Sequence, residues 1–125
     1  MDEYNRSPLH YLCIDYEPSE RLKVAKELIN SGDDVNAPDS NSWTPLHFAA
    51  QANCYEVTKL LIENGANIEA KEINGNTPLW IAVMNFDEDT HTIEILINSG
   101  ANPDAKNNHG ISPRDIEADI FKSET

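Results

Sequence analysis

One six-residue motif recurs along this chain, and its spacing limits what the chain can fold into more than any other feature. Thr44-Pro45-Leu46-His47-Phe48-Ala49 returns as Thr77-Pro78-Leu79-Trp80-Ile81-Ala82. An earlier copy reads Ser7-Pro8-Leu9-His10-Tyr11-Leu12, and a degraded later one reads Ser112-Pro113-Arg114-Asp115-Ile116. The prolines at 8, 45, 78 and 113 are spaced by 37, 33 and 35 residues. A second motif keeps the same phase: Leu28-Ile29-Asn30-Ser31-Gly32, Leu61-Ile62-Glu63-Asn64-Gly65 and Leu96-Ile97-Asn98-Ser99-Gly100. Two different motifs repeating in one register describe a stack of like layers, each burying a thin apolar seam against its neighbours.

The residues of one unit specify its local structure. Ser or Thr before Pro reads as an N-cap followed by proline at the first helical position. Four such starts predict first helices near 8–15, 45–52, 78–85 and 113–121. Second helices are expected near 20–31, 55–64 and 91–99. In the middle one, Val57, Leu60 and Leu61 fall at spacings of three and four and share one face. Gly65 ends that helix in the left-handed conformation. Asn74-Gly75 then makes a turn into the next unit. A helix pair of this length cannot bury its apolar faces alone. The expected fold class is therefore all-α: a solenoid of stacked helix-turn-helix units, about three full repeats plus a C-terminal capping helix. One domain spans 1–125, with units near 5–38, 39–71, 72–105 and 106–125.

The 33-residue period, the Thr-Pro-Leu-His-x-Ala signature and the Gly-Ala-Asn-Ile-x-Ala exit after the second helix resemble the ankyrin-repeat family. The resemblance covers residues 7–121, and 39–71 match almost position by position. It implies that the signature histidines His10 and His47 brace turns, and that the turn tips and first helices form a concave face for protein partners. The first unit is four residues longer than the middle one, near Tyr16-Glu17-Pro18-Ser19, and the third is two longer, near Phe86-Asp87-Glu88-Asp89. Glu27 stands where Leu60 and Ile95 stand in the other second helices. Arg114-Asp115 replaces Leu-His in the last copy. Such atypical ends are those of capping units, so the chain reads as a complete small array.

Charge and chemistry narrow the function. With 9 basic and 22 acidic residues the net charge is −13. Such a field repels nucleic acid and anionic membranes and attracts basic proteins, or it serves solubility. The start, Met1 to Arg6, has no signal-peptide pattern, and no apolar run is long enough to span a bilayer. Cys13 and Cys54 make no disulfide framework, so a cytoplasmic location is expected. His10, Cys13 and Asp15 lie close in sequence, but Cys13 takes the place of the packed Ala50 and behaves as a small hydrophobe. Neither cysteine has the spacing of a metal ligand, and Asp87-Glu88-Asp89 with His91 lacks the glycine and alternation of a calcium loop. No catalytic, cofactor or metal residue is assigned.

What remains is surface, on which several candidates for partner binding fall. The first unit offers Asp15, with Arg6 and Ile14. The second offers Ser40, Asn41, Trp43 and Gln51, with Ala52 beside it. The third offers Ile73, Asn74, Asn76, Met84 and Asn85, followed by the acidic Asp87, Glu88 and Asp89. The last turn offers Asn108, His109 and Ile111. Trp43 either packs on the neighbouring layer or anchors a partner, whereas Trp80, in the histidine position, reads as structural. Two functions fit. One is a non-enzymatic module, monomeric when free, that binds and inhibits a basic protein in the manner of an immunity protein or antitoxin, with a nuclease-type toxin as the kind of partner. The other is an adaptor that joins two proteins without inhibiting either.

Overall fold

The computed structural model describes residues 4–120. Among them are seven α-helices and no strand: α1 (Leu12–Asp15), α2 (Pro18–Asn30), α3 (Pro45–Gln51), α4 (Tyr55–Glu63), α5 (Pro78–Asn85), α6 (His91–Asn98) and α7 (Pro113–Ile116). A 3-10 turn, Pro8–Tyr11, leads directly into α1. The first helices α1, α3, α5 and α7 pack in succession, and α2, α4 and α6 form a second row behind them. None of the helices is long and apolar enough to cross a membrane.

The motif residues set the helix ends. The hydroxyls of Thr44, Thr77 and Ser112 accept the backbone N–H of His47, Trp80 and Asp115, each three residues on. Proline follows each cap, where its missing N–H costs no helical bond. At the far end of α4, Gly65 takes φ 92°, which lets its own N–H reach Ile62 O and the Ala66 N–H reach Leu61 O.

The seam between layers is apolar and tight. Leu46, Leu61, Leu79, Ile93 and Leu96 are all at most 1% exposed. Ala49 and Ala50 bury equally well, and their small side chains allow α1 and α5 to approach α3 from either side. Burial of this kind, rather than helix propensity, stabilises helices as short as these.

The C-terminal helix is shorter than its sequence suggests. It stops at Ile116 rather than running on to residue 121, which lies outside the described residues. Glu117 turns extended (φ −148°, ψ 82°), and residues 118–120 form a 3-10 turn. No second helix of its own unit backs α7 among the described residues, so a single capped turn is what survives.

Candidate partner-binding face

The turns between units are built on one repeated device. The Asp39 carboxylate accepts the N–H groups of Asn41 and Trp43 at 2.8 and 2.9 Å. Glu72 does the same for Asn74 and Asn76, and the Asn107 amide oxygen for His109 and Ile111. Asp39 and Glu72 are 6% and 5% exposed, so each carboxylate is buried in its turn. Successive tips are joined along the array, with Ser40 N–H donating to Tyr4 O, Ile73 N–H to Asn41 O and Asn108 N–H to Asn74 O. Gly75 makes the last joint possible. It has φ 79°, and a Cβ there would lie 2.9 Å from the Asn108 backbone nitrogen.

Histidine struts tie the turns to the first helices. His47 Nδ1 accepts the Thr44 N–H at 3.1 Å, which assigns the ring proton to Nε2; that atom donates to Asn76 O of the next turn at 2.9 Å. His10 makes the same pair of bonds, to the Ser7 N–H and to Trp43 O. Trp80 holds the third strut position, and its indole N–H is buried with no acceptor among the described residues. The joint to the last turn thus lacks the strut hydrogen bond, and the Trp80 ring packs against the apolar core instead.

Burial pushes the His47 pKa below its ordinary 6.5, and its hydrogen bond to Asn76 and nearby carboxylates offset this only in part. Above pH 6.5 both folded and unfolded chains carry a neutral ring. Below it the unfolded chain binds a proton that the folded chain refuses. His47 therefore contributes stability above pH 6.5 that falls away as the pH drops through that value toward the depressed native pKa. Denaturant midpoints between pH 7.5 and 5.5 should fall in the wild type, and His47→Gln should flatten the change. An unaltered slope in that variant would show that His47 is not the titrating group.

Beside the second turn lies an aromatic cluster. The Trp43 and Phe48 rings are 5.1 Å apart at 50°, and His10 meets Phe48 edge-on at 5.5 Å. The Arg6 guanidinium lies 4.9 Å from the Phe48 centroid and 4.6 Å from Tyr4. Its Nε donates to the buried Asp39 carboxylate at 3.1 Å, so it sits on this face already paired. Arg6, Asn41, Trp43, Phe48 and Gln51 line a cavity of about 250 Å³. Tyr4, Phe48 and Asp39 are residues here that the sequence did not single out. The acceptors at 39, 72 and 107 do carry a signal, since each stands six residues before the motif proline.

The other candidates fall into rows, because equivalent positions stack at repeat spacing. Ile14, Gln51 and Met84 stand four residues after His10, His47 and Trp80 and are exposed on successive first helices. Ser40, Ile73 and Asn108 mark successive tips, with Asn41, Asn74 and His109 exposed beside them. Trp43, Asn76 and Ile111 form the row beneath. Trp43 is half-buried and Ile111 exposed. Asn76, expected on the binding face, is instead 6% exposed. Its carbonyl receives His47, its side-chain oxygen accepts from Asn107 at 2.8 Å, and its N–H reaches Glu72, so it builds the turn. Asn85 is exposed, but its amide donates back to Ile81 O.

The acidic residues line the opposite edge, where first helices hand over to second. Asp15, Asp87 and Glu88 are exposed there. Arg21 of α2 donates to Tyr16 O and Cys13 O within the first unit, and Asn53 donates to Asp89 O at 3.0 Å, which bonds the connection of the second unit to that of the third. Asp89 is less free than its neighbours. Its carboxylate accepts the His91 N–H at 2.9 Å and touches the His91 ring, which holds it below the usual carboxylate pKa. Among the described residues no three of His, Cys, Asp and Glu converge as a metal site would require.

Stacked helix pairs, capped at Ser/Thr-Pro and tied by histidine to the next turn, define a repeat solenoid. A family model described as ankyrin repeats in three copies matches residues 1–72 and, in an overlapping placement, 18–107. The chain belongs to the ankyrin-repeat family. No curated protein matches it. Ankyrin arrays are protein-interaction modules, and that is the level of function the family establishes.

Proposed function

We infer that the chain captures a basic protein on the face framed by its turns and first helices, and that it blocks the partner's positive site. The observation that carries the choice of face is where large apolar side chains meet solvent. Seven are exposed among the described residues, and Tyr4, Ile14, Ile73, Met84 and Ile111 lie on the turns and first-helix row, leaving only Tyr16 and Tyr55 elsewhere. Scattered single apolar residues carry no meaning, but five of seven gathered on one face of a −13 protein favour a surface kept for a partner. The half-buried Trp43, with the cavity beside it, supplies an anchor of the type that dominates binding energy. The sign of the net charge selects a cationic partner and disfavours phosphate backbones. In its specific form the reading is an immunity-like inhibitor of a nucleic-acid-cleaving enzyme, and that form rests on charge and size alone.

Electrostatic steering provides the test. Association should slow roughly tenfold or more between low and physiological ionic strength, with dissociation changing less. Asp87→Asn, Glu88→Gln and Asp89→Asn together should slow association while leaving the helices intact, because asparagine at 89 still offers an acceptor to α6. Stopped-flow rates with a captured partner measure both. Association indifferent to salt and to the triple change would make the acidity a solubility device and turn the reading toward an adaptor. Loss of the partner's activity in the complex separates inhibition from scaffolding.

A further inference from the structure

The two cysteines come from different units, and the fold brings them together. Cys13 lies in α1 and Cys54 is the N-cap of α4, both free and half-buried. The two thiols influence each other across the joint between the first and second units, where Arg21 of α2 reaches both residues. Arg21 completes the cluster with its Nη1 3.9 Å from Cys54 Sγ. Two backbone carbonyls hold that guanidinium in place: Tyr16 O accepts from Nε at 2.9 Å and Cys13 O from Nη2 at 3.0 Å. A pair of thiols could bind a soft metal, but a guanidinium this close opposes any cation and no third ligand joins them among the described residues. The same positive charge favours a thiolate.

We propose that Cys54 is a peroxide-reactive thiolate and Cys13 its resolving thiol, so that oxidation links the first unit to the second through a reversible disulfide. The neighbouring Cys13 is the main influence pulling Cys54 down to about 6, aided by Val57 and Arg21 and opposed by burial. The same pairing, with burial, pushes Cys13 up. Arg21 stands against the Cys54 sulfur but meets only the backbone carbonyl of Cys13, so the thiolate is favoured at Cys54 and Cys54 is the nucleophile. The Cys54 thiolate attacks one oxygen of hydrogen peroxide; the O–O bond breaks and hydroxide leaves, becoming water on protonation. The sulfenic acid so formed is attacked by the sulfur of Cys13, whose proton accompanies the departing hydroxyl as a second water. Two thiols are oxidised by two electrons and one peroxide is reduced. An external dithiol reverses the change by exchange.

The test begins with the unaltered chain. Full-length protein is treated with stoichiometric hydrogen peroxide at pH 7, quenched with an alkylating agent and mapped without reduction. The expected product is a Cys13–Cys54 bridged peptide within one chain, lighter by two hydrogens and restored by dithiothreitol. Its melting temperature should exceed that of the reduced form by about 5 °C or more, because the bridge restricts the unfolded chain. Cys13→Ser should trap a sulfenic acid at Cys54 that a cyclic 1,3-dione captures, and Cys54→Ser should react at least about tenfold more slowly at Cys13. Arg21→Gln should slow the oxidation of Cys54, and Arg21→Lys should recover part of the rate. A bridge formed only between chains, first modification at Cys13, or equal trapping in both single variants would overturn the assignment.

Discussion

Leu46→Ala is expected to cost roughly 2–5 kcal/mol, enough to unfold the whole array under mild conditions. Leu46 is 1% exposed in the first turn of α3, the helix that packs on α4, α5 and the turn that opens the first unit. Removing its branched end loses the transfer energy of the buried atoms and leaves a cavity. The seam is one side chain thick, and its flanking alanines, Ala49 and Ala50, are too small to fill the gap. A domain of this size has a total stability of about 5–15 kcal/mol, so the loss is a large share of it. Each unit also depends on its neighbour, so failure at the centre removes support from both ends. Urea titration followed by circular dichroism should show one transition shifted far to lower denaturant. A loss below about 1 kcal/mol, or two separated transitions, would mean that the units fold independently.

Trp43→Ala should weaken partner binding by about 2 kcal/mol or more, some 30-fold in Kd. The Trp43 ring leans on Phe48 and His47, so part of it is already ordered and little freedom is lost when a partner covers the rest. The cavity it shares with Arg6, Asn41 and Gln51 gives a partner side chain somewhere to insert. Because the ring also packs on its own unit, Trp43→Phe serves as the control for folding and should keep more of the affinity. Lys59→Ala, on the exposed side of α4, should change binding little. Calorimetry with a captured partner decides the matter: equal affinity for wild type and Trp43→Ala would remove this face as the binding surface.

The helix starts were legible because a hydroxyl and a proline act within three residues of each other, and that chemistry is local. So was the second-helix stop at Gly65, where the backbone needs a positive φ. The end of α7 was not, because nothing in 113–121 states that no second helix backs it among the described residues. Asn76 was misplaced for a similar reason. Its equivalents Trp43 and Ile111 carry large apolar groups toward solvent, while the short amide at 76 is drawn inward by His47, Glu72 and Asn107. The approach of Cys13 to Cys54 is tertiary: each lies at an ordinary position in its own unit, and only the stacking of two units and the reach of Arg21 join them.

The bonds that join the tips all point the same way, from the N–H of a later turn to the carbonyl of an earlier one. Every unit thus carries a donor facing upstream and an acceptor facing downstream, like identical couplings on successive wagons. An in-frame duplication of the middle unit, residues 39–71, would arrive with both couplings matched, its histidine aimed at the next carbonyl and its alanines sized for the next layer. Lengthening by recombination would need no new kind of contact, and the recognition surface would gain one more row free to diverge. The direction of three backbone hydrogen bonds thereby makes this architecture extensible by gene duplication, with its specificity left to residues that the stack does not use.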